Sequence, residues 1–211
     1  MPPTGRSDHV VYAAKNVVAL YQRHAAEFDR SRSRALIEKA WLDTFLGYLP
    51  LKASILDIGC GGGEPIARYC IEGGHEVTGI DGSSSLIALC RERFPNHQWH
   101  VGDMRDMSSD KCFDGLIVWH SLFHLTPDNQ QRVLKTCMRL AAAEAVLLFT
   151  AGPDRHETLG LFCGQPLYHA SLAFEEYRLI LAGGGFQIIA HAIDDQSCGG
   201  ATVYLARRSG G

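Results

Sequence analysis

Short apolar runs alternate along the chain with longer stretches in which apolar residues recur every three to four positions. The short runs are SILDI (54–58), EVTGI (76–80), HQWHV (97–101), FDGLIV (113–118), AVLLFT (145–150), FQIIAHAI (186–193) and TVYLA (202–206). Helical spacing occupies 65–73, 84–94, 127–142 and 174–182, each opened by a capping or first-turn residue. This alternation predicts an α/β chain with a parallel sheet of seven strands and helices on both faces. Ahead of the first strand, 9–28 and 35–48 read as two helices, with apolar faces built on Val10, Val17, Val18, Leu20 and Tyr21 and on Leu36, Ile37, Trp41, Phe45 and Leu46. They have no strand of their own, so they are expected to pack on the sheet domain and close over whatever the strand ends bind. The chain is divided accordingly into a helical lid segment, 1–48, and a sheet domain, 49–211, forming one structural unit. Glycines at 183–185 and 199–200 predict a hairpin of the last two strands, and 207–211 reads as a frayed end.

Composition narrows the partners. A chain of 211 residues, 46% apolar, is long enough for one well-buried core. Twenty basic against 23 acidic residues give a net charge of −3, without the basic footprint that draws a protein to phosphate backbones or anionic membranes. A small-molecule partner is expected rather than nucleic acid, and the DRSRSR run (29–34) reads as a solvated helix start. The segment MPPTGRSDHV has no apolar signal core, and no apolar stretch reaches the ~20 residues that span a bilayer. Seven cysteines, at 60, 70, 90, 112, 137, 163 and 198, are odd in number and lack CxxC pairing, which points to free thiols and a cytoplasmic monomer or homodimer.

The chemistry concentrates in ILDIGCGGGEP, where Gly59, Gly61 and Gly63 follow a strand and precede a helix. Glycines there let the backbone turn tightly and approach a ligand. A dinucleotide's pyrophosphate seeks amide groups and a helix N-terminus clear of carboxylates. Here Asp57 precedes the turn and Glu64 follows it, occupying the third glycine position of G-x-G-x-x-G. Acids in those places suit a cation, and S-adenosylmethionine carries both a sulfonium and an ammonium. Asp81 in GIDGSS lies 24 positions after Asp57, the separation at which a carboxylate meets both ribose hydroxyls. Ser83 is a cap for the next helix, and in VGDM Asp103 and the Met104 amide are placed for an adenine edge.

With LDIGCGGG, TGIDGSS, GDM and FDGLIVWHSLFHL in that order, the sequence resembles the class I S-adenosylmethionine-dependent methyltransferases over roughly residues 50–150. The resemblance implies a Rossmann-like, doubly wound, mostly parallel seven-stranded sheet whose last strand inserts antiparallel beside the fifth, with an N-terminal helix as lid. It places Asp57, Gly59 and Gly61 along the methionine part, Asp81 with Gly82 and Ser83 at the ribose, and Asp103 and Met104 at the adenine. Trp119 and His120 are expected to face the cofactor, with Tyr21 and Arg34 reaching it from the lid, Arg34 toward its carboxylate. S-adenosylhomocysteine is the expected product.

Methyl transfer requires the acceptor lone pair in line with the sulfonium methyl, and a base only where the acceptor is protonated. His120, at a strand end, and His169 are the candidate bases. His124 follows His120 by four positions, on the same face of any helical turn there, which makes it a candidate on the substrate side, although capping or packing against the loop is the plainer reading. A metal held by this pair would need further ligands, and none is suitably spaced, so no metal is expected. The connection 151–172 is long and rich in Gly, Pro, His and aromatics; Phe162, Tyr168 and His169 either wall an acceptor pocket or tuck a loop onto the core. The expected activity is methylation of an oxygen or nitrogen of a small molecule. An RNA or protein methyltransferase, or a catalytically silent cofactor-binding protein, is the alternative.

Overall fold

The computed structural model describes residues 6–209. Its sheet contains β1 (Ser54–Ile58), β2 (Glu76–Asp81), β3 (Gln98–Val101), β4 (Phe113–Val118), β5 (Ala141–Ala151), β8 (Phe186–Asp195) and β9 (Ala201–Arg208), in the order β3-β2-β1-β4-β5-β9-β8. The first five run parallel; β9 lies antiparallel between β5 and β8. The mixed doubly wound sheet expected from the sequence is therefore the one observed. Strand order reverses between β1 and β4, and in such sheets the crevice beyond the strand ends at that point is where ligands bind.

Both sheet faces are covered, which is why the central strands read as nearly unbroken apolar runs. Leu56, Leu116, Leu147 and Phe149 pack under α6 (Pro127–Leu140) and α7 (Phe174–Gly183), while Ile55, Ile117 and Leu148 pack under α3 (Lys39–Gly47), α4 (Ile66–Glu72) and α5 (Ser84–Arg93). Each such buried side chain contributes about 1.5–3 kcal/mol.

Several expectations need correction. The connection 151–172 is a hairpin, β6 (His156–Phe162) and β7 (Gln165–Ser171), forming a separate two-stranded sheet. Cys163 and Gly164 turn it with φ of 48° and 73°, the left-handed pair of a type I′ turn. The proposed helix 9–28 is two, α1 (Arg6–Arg23) and α2 (Ala25–Ser31), parted where His24 leaves helical geometry. The second helix starts at Lys39 rather than 35, after Leu36 takes a positive φ. Among the described residues of this N-terminal segment α3 and Leu36 pack with the main-sheet core, whereas α1 lies on the hairpin, with Ala13 and Val17 against Tyr168 and Ala170. The chain is ordered to Arg208, whose guanidinium donates to the Met138 and Ala141 carbonyls, so the frayed end does not begin at 207; residues 210–211 lie outside the described part.

Candidate functional site

At the end of β1 the chain must turn from the sheet into α4 beside two neighbouring strands. Gly59 does so at φ +74°, and a Cβ there would sit 2.4 Å from that of Ser121, so only glycine fits. The Gly59 and Cys60 amides donate to the Ile80 carbonyl at 2.8 and 3.2 Å, tying the turn to β2. The Gly61 amide donates to Asp81 Oδ2 at 3.0 Å, and the Ser83 amide to Asp81 Oδ1 at 2.8 Å. Asp81 thus joins two loops and keeps lone pairs for a ligand. Ser83 caps α5 by accepting from the Leu86 amide, and it lies buried behind the cavity rather than in its wall.

A cavity of about 370 Å³ opens at this point, within the size range of small-ligand sites. Asp57 stands in its floor, 4% exposed, and its carboxylate makes no hydrogen bond among the described residues. Burial, reinforced by the Asp81 charge and partly offset by Arg32, pushes its pKa up to about 7. Asp81 is also raised by burial, against the pull of its two amide donors. Two carboxylates one strand apart therefore create an unmet demand for positive charge. Glu64, assigned this task from sequence, does not share it. The Arg68 side chain holds it, with Nε at 2.8 and 2.9 Å from its two oxygens.

At the far end, Met104 and Asp103 line the cavity with Ile80, Leu86 and Leu125, an apolar slot with a polar rim. Asp103 accepts from the Arg105 amide and Nε, at 2.9 and 2.8 Å, which holds its carboxyl below the usual range. Trp119, buried beyond β4, lines the cavity and has an Nε1–H without a partner among the described residues.

The opposite wall comes from the N-terminal helices, through Val17, Val18 and Tyr21 of α1, Phe28 of α2, and Arg32. The Tyr21 hydroxyl donates to His124 Nε2 at 3.0 Å, and His124 Nδ1 donates to the Tyr168 carbonyl at 2.9 Å. The carbonyl only accepts, which fixes the proton on Nδ1 and leaves Nε2 to accept from the tyrosine. His124 is thereby a buried neutral bridge, its pKa lowered to about 3 chiefly by burial. Arg34 is misplaced in the sequence reading: it is exposed, pairs with Asp29 at 3.3 Å and does not line the cavity. Arg32, which ends α2, turns inward instead and bonds the buried Glu38 at 2.7 Å.

A second cavity, of about 320 Å³, adjoins the first, and His120, Phe123 and His169 line both. His120 adopts φ 50°, with its amide donating to the Thr150 hydroxyl at 2.8 Å; the residue stays exposed at the junction of the cavities, and partial desolvation with the Arg32 charge keeps its pKa below the ordinary imidazole range. Two residues assigned to an acceptor pocket are elsewhere. Phe162 stacks on Tyr21 at 5.2 Å, and the buried Tyr168 sends its hydroxyl to Glu157 at 2.7 Å; neither lines either cavity. Phe123, Arg32, Thr150 and His156 were missed. A periodicity signal existed only for Phe123, one residue before His124 in SLFHL.

Residues 55–144 match the family model described as a methyltransferase domain. The chain is 32% identical over 136 residues to YqeM of Bacillus subtilis (strain 168), named as a methyltransferase, covering 62% of this chain and 54% of that protein. It is 26% identical over 146 residues to the malonyl-[acyl-carrier protein] O-methyltransferase of Pectobacterium atrosepticum, covering 68% and 55%. The chain thus spans about half the length of these curated relatives. Its fold is that of the Burkholderia thailandensis 1,6-didemethyltoxoflavin-N1-methyltransferase, solved with its substrate and S-adenosylhomocysteine, at a TM-score of 0.70 and 18% identity over 99% of this chain and 92% of that one.

Proposed function

We propose that this chain is a class I S-adenosylmethionine-dependent methyltransferase, in keeping with the methyltransferase-domain match and the shared fold, and that it transfers the methyl group of S-adenosylmethionine to an oxygen or nitrogen of a small molecule. The observation that carries the reading is the unpartnered Asp57 carboxylate beside Asp81 in the floor of the larger cavity. A sulfonium ligand, when bound, supplies an electrophilic methyl group and positive charge beyond the partial offset that Arg32 gives this floor. Asp57, with the backbone at Gly59 and Gly61, would hold its ammonium end, and Arg32 its carboxylate. Asp81 and Gly82 would meet the ribose, and Asp103, the Met104 amide and the Trp119 indole the adenine. Tyr21 and Phe28 would exclude water as the lid segment, 1–48, covers the site. Such a protein gains rate mainly by positioning and desolvation, with a base where the acceptor carries a proton.

The acceptor would reach the methyl group past His120 and His169, the rings common to both cavities. Among the described residues no helix is long and apolar enough to cross a membrane. A cytoplasmic monomer or homodimer, acting on neither nucleic acid nor lipid, fits the charge and the cavity sizes best. Incubating the purified protein with methyl-labelled S-adenosylmethionine and a panel of small phenols, carboxylates and amines tests the reading. Label should appear on a small acceptor with matching release of S-adenosylhomocysteine. Cofactor binding with no transfer to any acceptor would make the protein a silent binder instead.

A further inference from the structure

The smaller cavity has a chemistry of its own. Among the described residues no lysine or arginine lines it, and its one carboxylate, Asp194, stands at the exposed rim. A phosphate or carboxylate brought into it loses water, meets a like charge and gains no counter-charge. Acceptors that carry a phosphate or carboxylate group are excluded on that ground; a phenolate, whose charge sits on the reacting oxygen and is lost on methylation, is not. Otherwise the rings of His120, Phe123, His156 and His169 stand among small residues, glycines, alanines, threonines and a proline. Phe123 and His169 already stack at 5.4 Å and 30°, a surface that a flat molecule extends.

The histidines are not equivalent. His124 has both nitrogens engaged, and the His120 ring is held by no hydrogen bond among the described residues. His169 Nδ1 lies 3.1 Å from the Leu167 carbonyl oxygen, so Nδ1 carries the proton and Nε2 keeps its lone pair, unengaged by the protein. The ring is thus oriented from behind by a backbone acceptor, the arrangement that prepares an imidazole to take a proton. His156 is held in the same way, its Nδ1 2.8 Å from the Asp154 carbonyl oxygen, but it lines the smaller cavity alone, whereas His169 lines both and so stands where acceptor and methyl donor would meet. The groups facing it are His120, His124 and His156, with Asp194 at the rim. Burial lowers its pKa from the ordinary imidazole value, despite the opposing Leu167 bond.

We propose that the acceptor is a small, flat, uncharged molecule whose methylated atom bears a proton, a phenolic hydroxyl or a heteroaromatic N–H, and that His169 Nε2 takes that proton. This rests on the methyltransferase reading above. The acceptor lone pair forms the new bond to carbon, the carbon–sulfur bond breaks with its electrons left on a neutral thioether, and the acceptor's proton ends on Nε2, from which it returns to water.

The test uses the full chain and labelled S-adenosylmethionine. Four acceptors are compared: a simple phenol, a heteroaromatic N–H compound, a nitrophenol already ionised at the assay pH, and an amino-sugar nucleoside diphosphate. Cofactor affinity is measured in parallel, so that its absence sinks the underlying function and not this inference alone. The flat acceptors should be methylated and the sugar nucleotide not. His169→Gln should slow the phenol about 100-fold at unchanged cofactor affinity, yet leave the ionised nitrophenol within about threefold, since its reacting oxygen has no proton to lose. Preference for the sugar nucleotide, cofactor binding without transfer to either protonated flat acceptor, or equal losses on both phenols would overturn the proposal. The acceptor comparison in the wild-type protein decides the substrate class even where the variant fails to fold.

Discussion

The two adjoining cavities are built from opposite kinds of chain. The larger is cut into the ends of β1, β2 and β4, where glycines and acids are imposed by the sharp exit from a buried parallel strand. The smaller is enclosed by the turn after β4, the β6–β7 hairpin and the β8–β9 turn, segments distant in sequence that share no motif. The first presents two buried carboxylates only partly offset by Arg32; the second presents aromatic and imidazole rings among small residues. A common cofactor and a particular acceptor place those different demands on a protein, and the boundary between them runs through His120, Phe123 and His169.

The strongest way to break this comparison is at Arg32, the cation that faces the acidic floor. Arg32→Ala strands the buried Glu38 carboxylate and should cost about 3–5 kcal/mol of stability in a denaturant titration. Arg34→Ala, in the exposed position first assigned that task, should stay within about 0.5 kcal/mol. Equal effects would mean that Arg32 does not turn inward.

Next in size is the floor itself. Asp57→Ala should weaken S-adenosylmethionine binding about 100-fold, about 2.8 kcal/mol, with circular dichroism unchanged. In the ligand-free protein Asp57 titrates at about 7 instead of its ordinary 3.8. Between those values the folded chain holds a proton that the unfolded chain has released, so this group's contribution to stability falls as pH rises from about 4 to about 7. Asp57→Asn should therefore melt above the wild type at pH 8, with the gap closing toward pH 4.

A smaller effect is expected where the two cavities are tied together. Tyr21→Phe leaves His124 Nε2 without its donor and should cost about 1–2 kcal/mol, loosening α1 from the hairpin in hydrogen exchange. Smallest of all, Cys163→Asn places a residue tolerant of left-handed backbone at φ 48° beside Gly164 and should raise stability by about a few tenths of a kcal/mol. A loss there would contradict the hairpin turn.

These contrasts also mark what a reader of the sequence can see. Asp57, Gly59 and Asp81 are legible because turn sterics and the strand-helix-strand repeat fix their spacing within one local unit. Arg32 is not, since Arg30, Arg32 and Arg34 look alike until the end of α2 decides which of them turns inward. The hairpin escaped because Cys163–Gly164 is not a familiar type I′ pair, and because β6 is only partly covered and lacks a strong apolar face. Tyr168 and Phe162 looked like pocket residues by type, but β7 directs one into the packing under α1, and the other meets the Tyr21 ring. Glu64 was credited with a charge that Arg68, one helical turn on, already satisfies.

The central claim is that the crevice between β1 and β4 selects a cation. It is tested most directly by calorimetric titration of the intact protein with S-adenosylmethionine and, separately, with NAD. S-adenosylmethionine should give a saturable heat whose affinity Asp57→Ala weakens about 100-fold, and NAD none. Binding of NAD with no response to S-adenosylmethionine would contradict it.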